Sequence, residues 1–273
     1  MASNSGVYRY CNFNFNLTIV FNFNKKTFLW VILSFIVFTI VGTLSHEIGH
    51  IAIAKYFGYE TYLSYGSMYH LPKDYNQDKN VIELEELEQK FQDEGITNIE
   101  ELDKKVLDHY NNLVAEIQEK FPNNKTHDLL ITIGGPVQTI LTCLIGLFIL
   151  YFRKSKHRSD FKFLDWLGVF LALFILREVF NTVTATLTMF ISGSTQFYGD
   201  EFRTSSALGL NQWVVPIITM LMGLAVSMFI IFKIIPFKYR FTFIVSGFIG
   251  GILGFGIWFG FLGKWLFPEA ISF

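Results

Sequence analysis

Long apolar runs alternate with one long polar stretch along this chain. Runs with almost no charge lie at 27 to 45, 129 to 152, 213 to 232 and 241 to 263. Each is long enough to cross a hydrocarbon core of about 30 Å as a helix. A fifth run, 163 to 191, is as long but carries Asp165, Arg177 and Glu178. Ahead of the first run, NFNFNLTIVFNFN (12 to 24) sets Phe13, Phe15, Leu17, Ile19, Phe21 and Phe23 against mostly Asn and Thr, and this period of two predicts a strand with one apolar face. Beyond the first run the helical pattern ends near Gly58, and the Tyr- and Thr-rich YETYLSYGSMYH (59 to 70) predicts a short hairpin or edge strand.

Residues 79 to 121 predict two solvated helices broken at DEGITN, where Gly95 ends the first and Thr97 with Glu100 forms a capping box for the second. Leu84, Leu87 and Phe91 on one helix, and Leu102, Val106, Leu113 and Ile117 on the other, give apolar stripes that predict a helical hairpin. The formal net charge of -1 conceals a segregation, because 16 of the 23 acidic residues lie between Glu60 and Asp128. That stretch faces water.

Composition agrees with a membrane protein: 273 residues, 51% hydrophobic, 18% aromatic with 31 phenylalanines, and only 16% charged. Cys11 and Cys143 offer neither a disulfide framework nor a thiolate metal site. There is no basic patch for nucleic acid and no phosphate-binding glycine loop. The first apolar run follows Lys25 and Lys26 but continues without a cleavage site, which predicts a retained span. Basic residues collect on the side of the N-terminus: Lys25 and Lys26, then Arg153 to Lys162, then Lys233 to Arg240. The positive-inside rule makes that side cytoplasmic and puts the acidic stretch outside.

The first span ends in HEIGH. His46 and His50 stand one helical turn apart, so both imidazoles project from one face and can share a Zn²⁺ ion, while Glu47 can serve as general base toward a metal-bound water. Ionisable residues at membrane depth are costly and point to function. A third ligand is needed. The remaining histidines, His70, His109, His127 and His157, fall in loops or in the soluble stretch, which leaves carboxylates. Counting residues from the membrane faces brings HEIGH, IGGPVQT (133 to 139), REVFN (177 to 181) and the loop YGDEFRTSSALGL to one depth, so Asp200 or Glu201 is the natural third ligand. Arg177 and Glu178, being adjacent, face different directions and read as a structural charge network. Gly135 and Pro136 suit a substrate strand or a packed neighbouring helix equally. Gly250 and Gly254, four residues apart, read as helix packing.

The constellation resembles the site-2 protease family of intramembrane zinc metalloproteases. HEIGHIAIAKYFGYE is similar to the family's HExGH helix and the turn that follows it. GGPVQT resembles its Gly-Pro element followed by a polar amide, with Gln138 where asparagine is usual. Asn181 and Asp200 resemble the asparagine and the aspartate ligand of its third core span, although Glu201 replaces the usual glycine and NTVT lacks the usual proline. The resemblance covers residues 28 to about 212 and implies zinc held by His46, His50 and Asp200, Glu47 as catalytic base, and substrate contacts at Asn181, Gly135, Pro136 and Gln138.

The expected fold is an α-helical polytopic membrane protein of about five spans with a three-helix metalloprotease core, short β elements and an acidic helical hairpin. Its expected divisions are an N-terminal strand region (1–26), the first core span (27–57), a strand segment (58–78), the acidic hairpin (79–127), the second core span (128–152), the third core span with its ligand loop (161–212) and two accessory spans (213–273). The expected activity is zinc-dependent endoproteolysis of a membrane-spanning protein or peptide, in a multi-pass protein of the cell (inner) membrane if the source is bacterial, with a docking partner for the acidic hairpin and no nucleic acid. Two other readings stand beside it: a non-catalytic zinc- and partner-binding membrane protein, and a prenyl-protein-type protease with a glutamate third ligand, Glu201 or Glu178.

Overall fold

The computed structural model describes residues 23–96, 103–193 and 197–273. Most of the alternating segment 12 to 24, and the capping pattern on Thr97 and Glu100, lie outside them.

Among the described residues, four helices are long and apolar enough to cross a membrane, over Lys25–Tyr56, Lys125–Phe152, Val214–Ile234 and Phe237–Leu266. The chain is thus a multi-pass integral membrane protein. The first of these helices, α1 (Lys25–Tyr56), starts where the Asn24 side chain accepts the Thr27 N–H at 3.0 Å. It packs between α4 (Lys125–Phe152) and α9 (Arg240–Ile257). Gly250 and Gly254 of α9 meet α1 closely: a Cβ on Gly250 would lie 2.8 Å from Phe35 Cβ, and one on Gly254 2.7 Å from Thr39 Oγ1. Their four-residue spacing is the bare seam of that contact.

The fifth apolar run differs from the single span expected of it. It forms α5 (Phe163–Ala172) and α6 (Leu176–Ser192), with a 3₁₀ turn over Leu173–Ile175 between them. The break falls where two neighbours press on the backbone. A Cβ on Gly146 of α4 would stand 2.2 Å from the Ala172 nitrogen, and one on Gly223 of α8 (Val214–Phe229) 2.8 Å from the Ile175 carbonyl oxygen. The tighter turn thins the chain at that level.

The outer segments are short and polar. β1 (Glu60–Leu63) pairs antiparallel with β2 (Met68–Leu71) on one side and with β3 (Ile271–Ser272) on the other, in the order β2-β1-β3, so the hairpin read from residues 59 to 70 forms. α2 (Lys79–Asp93) packs on α3 (Lys104–Lys120), with Val81 and Phe91 buried on the first and Leu113 and Ile117 on the second. Asp78 joins their far ends, capping α2 through the Asn80 N–H and pairing with Lys120. α2 closes at Gly95, where Ile96 N–H donates back to the Phe91 carbonyl at 2.9 Å.

The apolar core, Val31, Leu150, Val169, Phe170, Ile230 and Phe243, lies toward the start of α1. Aromatic rings fill it, with Phe38 stacked on Phe170 at 5.0 Å between centroids and Trp166 on Phe243 at 5.9 Å. His46 is fifteen residues beyond Val31, roughly 22 Å along the helix. One end of the helix bundle is therefore packed with rings, and the other carries the polar centre.

Candidate metal centre

His46 and His50 are buried on the face of α1 that meets α4, whereas Ile48 on the opposite face is exposed. The meeting is very close because both helices are bare there. A Cβ on Gly49 would come within 2.5 Å of the Gly134 carbonyl oxygen, and one on Gly134 within 2.6 Å of the Gly49 carbonyl oxygen. The glycine inside HEIGH is thus the crossing point, and it brings the two imidazoles against α4.

Three α4 residues at helical spacing receive them. His50 Nδ1–H donates to the Ile131 carbonyl at 2.7 Å, and His46 Nδ1 lies 2.9 Å from Thr139 Oγ1. Between them, a Cβ on Gly135 would sit 2.3 Å from His50 Nε2 and 2.4 Å from His46 Nε2. Gly135 leaves vacant the volume into which both ring nitrogens point. Such partners at Nδ1 fix the orientation of each ring and turn Nε2 toward a metal.

The third group arrives from α7 (Asp200–Ala207). Asp200 Oδ2 is 2.9 Å from His46 Nε2 and 3.2 Å from His50 Nε2. Burial works against ionisation of Asp200, but its hydrogen bonds and charge interactions with the two histidines hold its carboxyl well below the usual carboxylate range. With Nδ1–H of His50 committed to Ile131, a neutral His50 presents a lone pair, not a proton, to this carboxylate. Two imidazole nitrogens and a carboxylate oxygen converging on one point are a donor set that suits a cation. Ligand atoms about 2.0 to 2.1 Å from a tetrahedral ion stand roughly 3.3 Å apart, close to the separations found here. The side chains fit a divalent metal.

Glu47 is also buried, and the ligating atoms of His46, Glu47 and His50 all lie within 4.8 Å of one another. Asp200 also stands within that distance of both imidazoles, so two imidazoles and two carboxyls surround one point. The Glu47 carboxyl has two neighbours of its own: Arg177 Nη2 at 3.8 Å from Oε1, and the backbone N–H of Met68 on β2. Arg177 therefore reaches Glu47 beside the imidazoles. Its Nε is buried without an acceptor. Glu178, facing the other way as adjacency requires, meets Glu201, and neither carboxyl has a donor among the described residues. Glu178 on α6 and Glu201 on α7 are thus buried neighbours, next in sequence to Arg177 and Asp200.

The other anticipated residues are distributed as follows. Asn181 lines a cavity of about 310 Å³ with Arg177, Thr184, Tyr198 and Asp200. Pro136 lies inside α4, one residue after Gly135. Gln138 is in the α1–α4 crossing: its Nε2 donates to Thr142 Oγ1 at 2.9 Å, and its Oε1 is buried without a partner. Thr139, Ile131 and Gly49 were not singled out from the sequence, although Ile131, Gly135 and Thr139 follow one another at intervals of four and so mark one face of α4.

Comparisons with protein-family models, with curated proteins and with solved structures return no match. The chain is described by what its own side chains form: a buried cluster able to hold a divalent metal ion, set among membrane-spanning helices.

Proposed function

We propose that this protein is a zinc-dependent intramembrane endopeptidase of the site-2 protease type, cutting a membrane-spanning protein or peptide within or near its apolar segment. The observation that carries the reading is the convergence of His46, His50 and Asp200 on the bare volume beside Gly135, with the Glu47 carboxyl standing next to it. His46 Nε2, His50 Nε2 and an Asp200 oxygen would hold the zinc, a set that leaves one tetrahedral position open. Bound there, zinc supplies a Lewis acid and a water acidified toward neutral pH.

The chain's own groups do the rest. Glu47 takes a proton from the attacking water and delivers it to the amide nitrogen as the C–N bond breaks. Arg177 and the Met68 N–H hold the Glu47 carboxyl in place. Asn181, beside Asp200 in its cavity, offers an amide to the substrate backbone. A helical substrate must unwind to reach the centre, and the outer edge of β2 can pair with the unwound piece, because β2 is an end strand of its sheet.

A glutamate-ligated, prenyl-protein-type site is less well supported. Glu178 and Glu201 are turned to each other, and Asp200 is the carboxylate that faces the imidazoles. A non-catalytic zinc protein would not require Glu47. The basic loops favour a centre opening on the non-cytoplasmic side, against the cytosolic habit of the family. The acidic pair α2 and α3 is proposed as a docking module; replacing it with a short linker should leave the metal bound and change which substrates are cut.

The direct test uses the purified protein in detergent with a membrane-spanning model peptide. Chelation should stop cleavage and one equivalent of Zn²⁺ should restore it. Cleavage that survives complete metal removal would rule the proposal out.

A further inference from the structure

The outer edge of β2 can be read residue by residue. Ser64 N–H donates to the Ser67 carbonyl at 2.8 Å, a hydrogen-bonded rung next to the Leu63–Met68 pair. In an antiparallel ladder such rungs alternate with non-bonded ones, so Leu63–Met68 and Thr61–His70 are non-bonded pairs. The main-chain groups of Met68 and His70 therefore point away from β1. Thr61 agrees, since its carbonyl accepts the Phe273 N–H on the β3 side at 2.9 Å. Met68 N–H meets Glu47. His70 is one pleat repeat further, about 6.6 to 6.8 Å along the strand.

At that step there is a second cavity, of about 480 Å³, lined by His70, Lys125, Asp128, Thr132 and Arg203 among others. Its walls come from the elements of the metal centre. Thr132 follows Ile131, the partner of His50, and Arg203 is one turn after Asp200 on α7. The cavity carries positive charge. Asp128 faces His70 at 3.5 Å, whereas neither Lys125 nor Arg203 has an ion-pair partner among the described residues. Lys125 also opens α4, whose N-terminal dipole adds to the same sign. Two uncommitted cations lie beside a free strand edge, one residue pair away from the base that would activate water.

We infer that this cavity is a specificity site for a carboxylate of the substrate, an Asp or Glu side chain two or three residues from the bond that is cut. A substrate strand paired on β2 with its scissile bond at Glu47 alternates its side chains with the pleat, and the one opposite His70 enters the cavity. There the Arg203 guanidinium offers a fork matched to a carboxylate, and the Lys125 ammonium a second charge. This rests on the endopeptidase reading and adds to it the chemistry of the residue that marks the cleavage site.

The test walks a single Glu through successive positions of a membrane-spanning peptide, with Gln and Lys counterparts, and measures kcat/KM in neutral detergent. One position two or three residues from the cut should favour Glu over Gln about tenfold. The double variant Lys125→Glu/Arg203→Glu should keep its metal and reverse the preference, favouring Lys there. Equal rates at every position would overturn the inference while leaving the endopeptidase reading intact. If wild-type protein cuts no peptide, the endopeptidase reading fails, and binding of the same fluorescent peptides to the Zn²⁺-loaded protein decides the cavity separately. Tighter binding of the Glu peptide, lost in the double variant, supports it, and equal affinities overturn it. A preference abolished by adding phosphatidylglycerol at the same detergent concentration would assign the cavity to a lipid headgroup and overturn it as well.

Discussion

The metal centre is made from two limbs of different character. On one, α1 and α4 cross with glycine against glycine, and every polar atom of the two imidazoles has an assigned partner. On the other, α7 brings Asp200 forward, beside a buried carboxyl pair and an Arg177 Nε that have no hydrogen-bond partner among the described residues. The first limb fixes two imidazoles by shape. The second supplies the Asp200 carboxylate, the Arg177 neighbour of Glu47 and the wall of a cavity, and most of the buried side-chain atoms without a hydrogen-bond partner among the described residues lie on it, Gln138 Oε1 of α4 being the exception. Rigidity and adaptability are thus divided between the limbs, and substitutions in each should fail differently.

The largest effect is expected at Gly135. A methyl group there would occupy the volume between the two Nε2 atoms, at 2.3 and 2.4 Å from them, with no slack in the helix crossing to move aside. Gly135→Ala should therefore lose the metal entirely while the protein stays folded, as metal analysis and helical circular dichroism would report. Retention of one metal per chain would mean that the ion sits elsewhere.

On the second limb the contrast is between neighbours. Asp200→Ala removes a ligand and should lose metal and activity together. Glu201→Gln keeps the size of the side chain beside Glu178 and should keep most of the metal, with affinity lowered about 10- to 100-fold at most, as for a group that only supports a ligand. The reverse order in metal titrations of the two variants would move the ligand to Glu201.

A smaller effect is expected at Thr139. Thr139→Val keeps the volume and removes the hydroxyl 2.9 Å from His46 Nδ1, so the ring loses its orienting partner but not its place. Zinc affinity should fall about tenfold with the fold unchanged. No change in competition against a chelator of known affinity would show that packing alone orients the ring.

Much of the first limb is legible in the sequence. HEIGH states two imidazoles one turn apart with a carboxylate beside them, and apolar length states the spans. Even the α4 face is there, because Ile131, Gly135 and Thr139 repeat every four residues, but only the structure reveals that Gly49 and Gly134 let backbones touch and so make that face part of the site. The second limb is harder to read. Nothing local in LALFILREVF announces the 3₁₀ turn at Leu173–Ile175, which coincides with bare positions on two other helices. Arg177 and Glu178 are adjacent in sequence, yet one faces Glu47 and the other Glu201, a difference set by which helices stand on either side of α6. Long-range neighbours decide these roles, and a single sequence does not carry them.

In the proposed mechanism Glu47 moves protons and holds no metal. Glu47→Gln keeps the size of the side chain and both imidazoles, so the purified variant should bind zinc in the same amount as the unmodified protein and cut a membrane-spanning peptide at least about a hundredfold more slowly. Undiminished cleavage by a zinc-loaded Glu47→Gln protein would contradict the account.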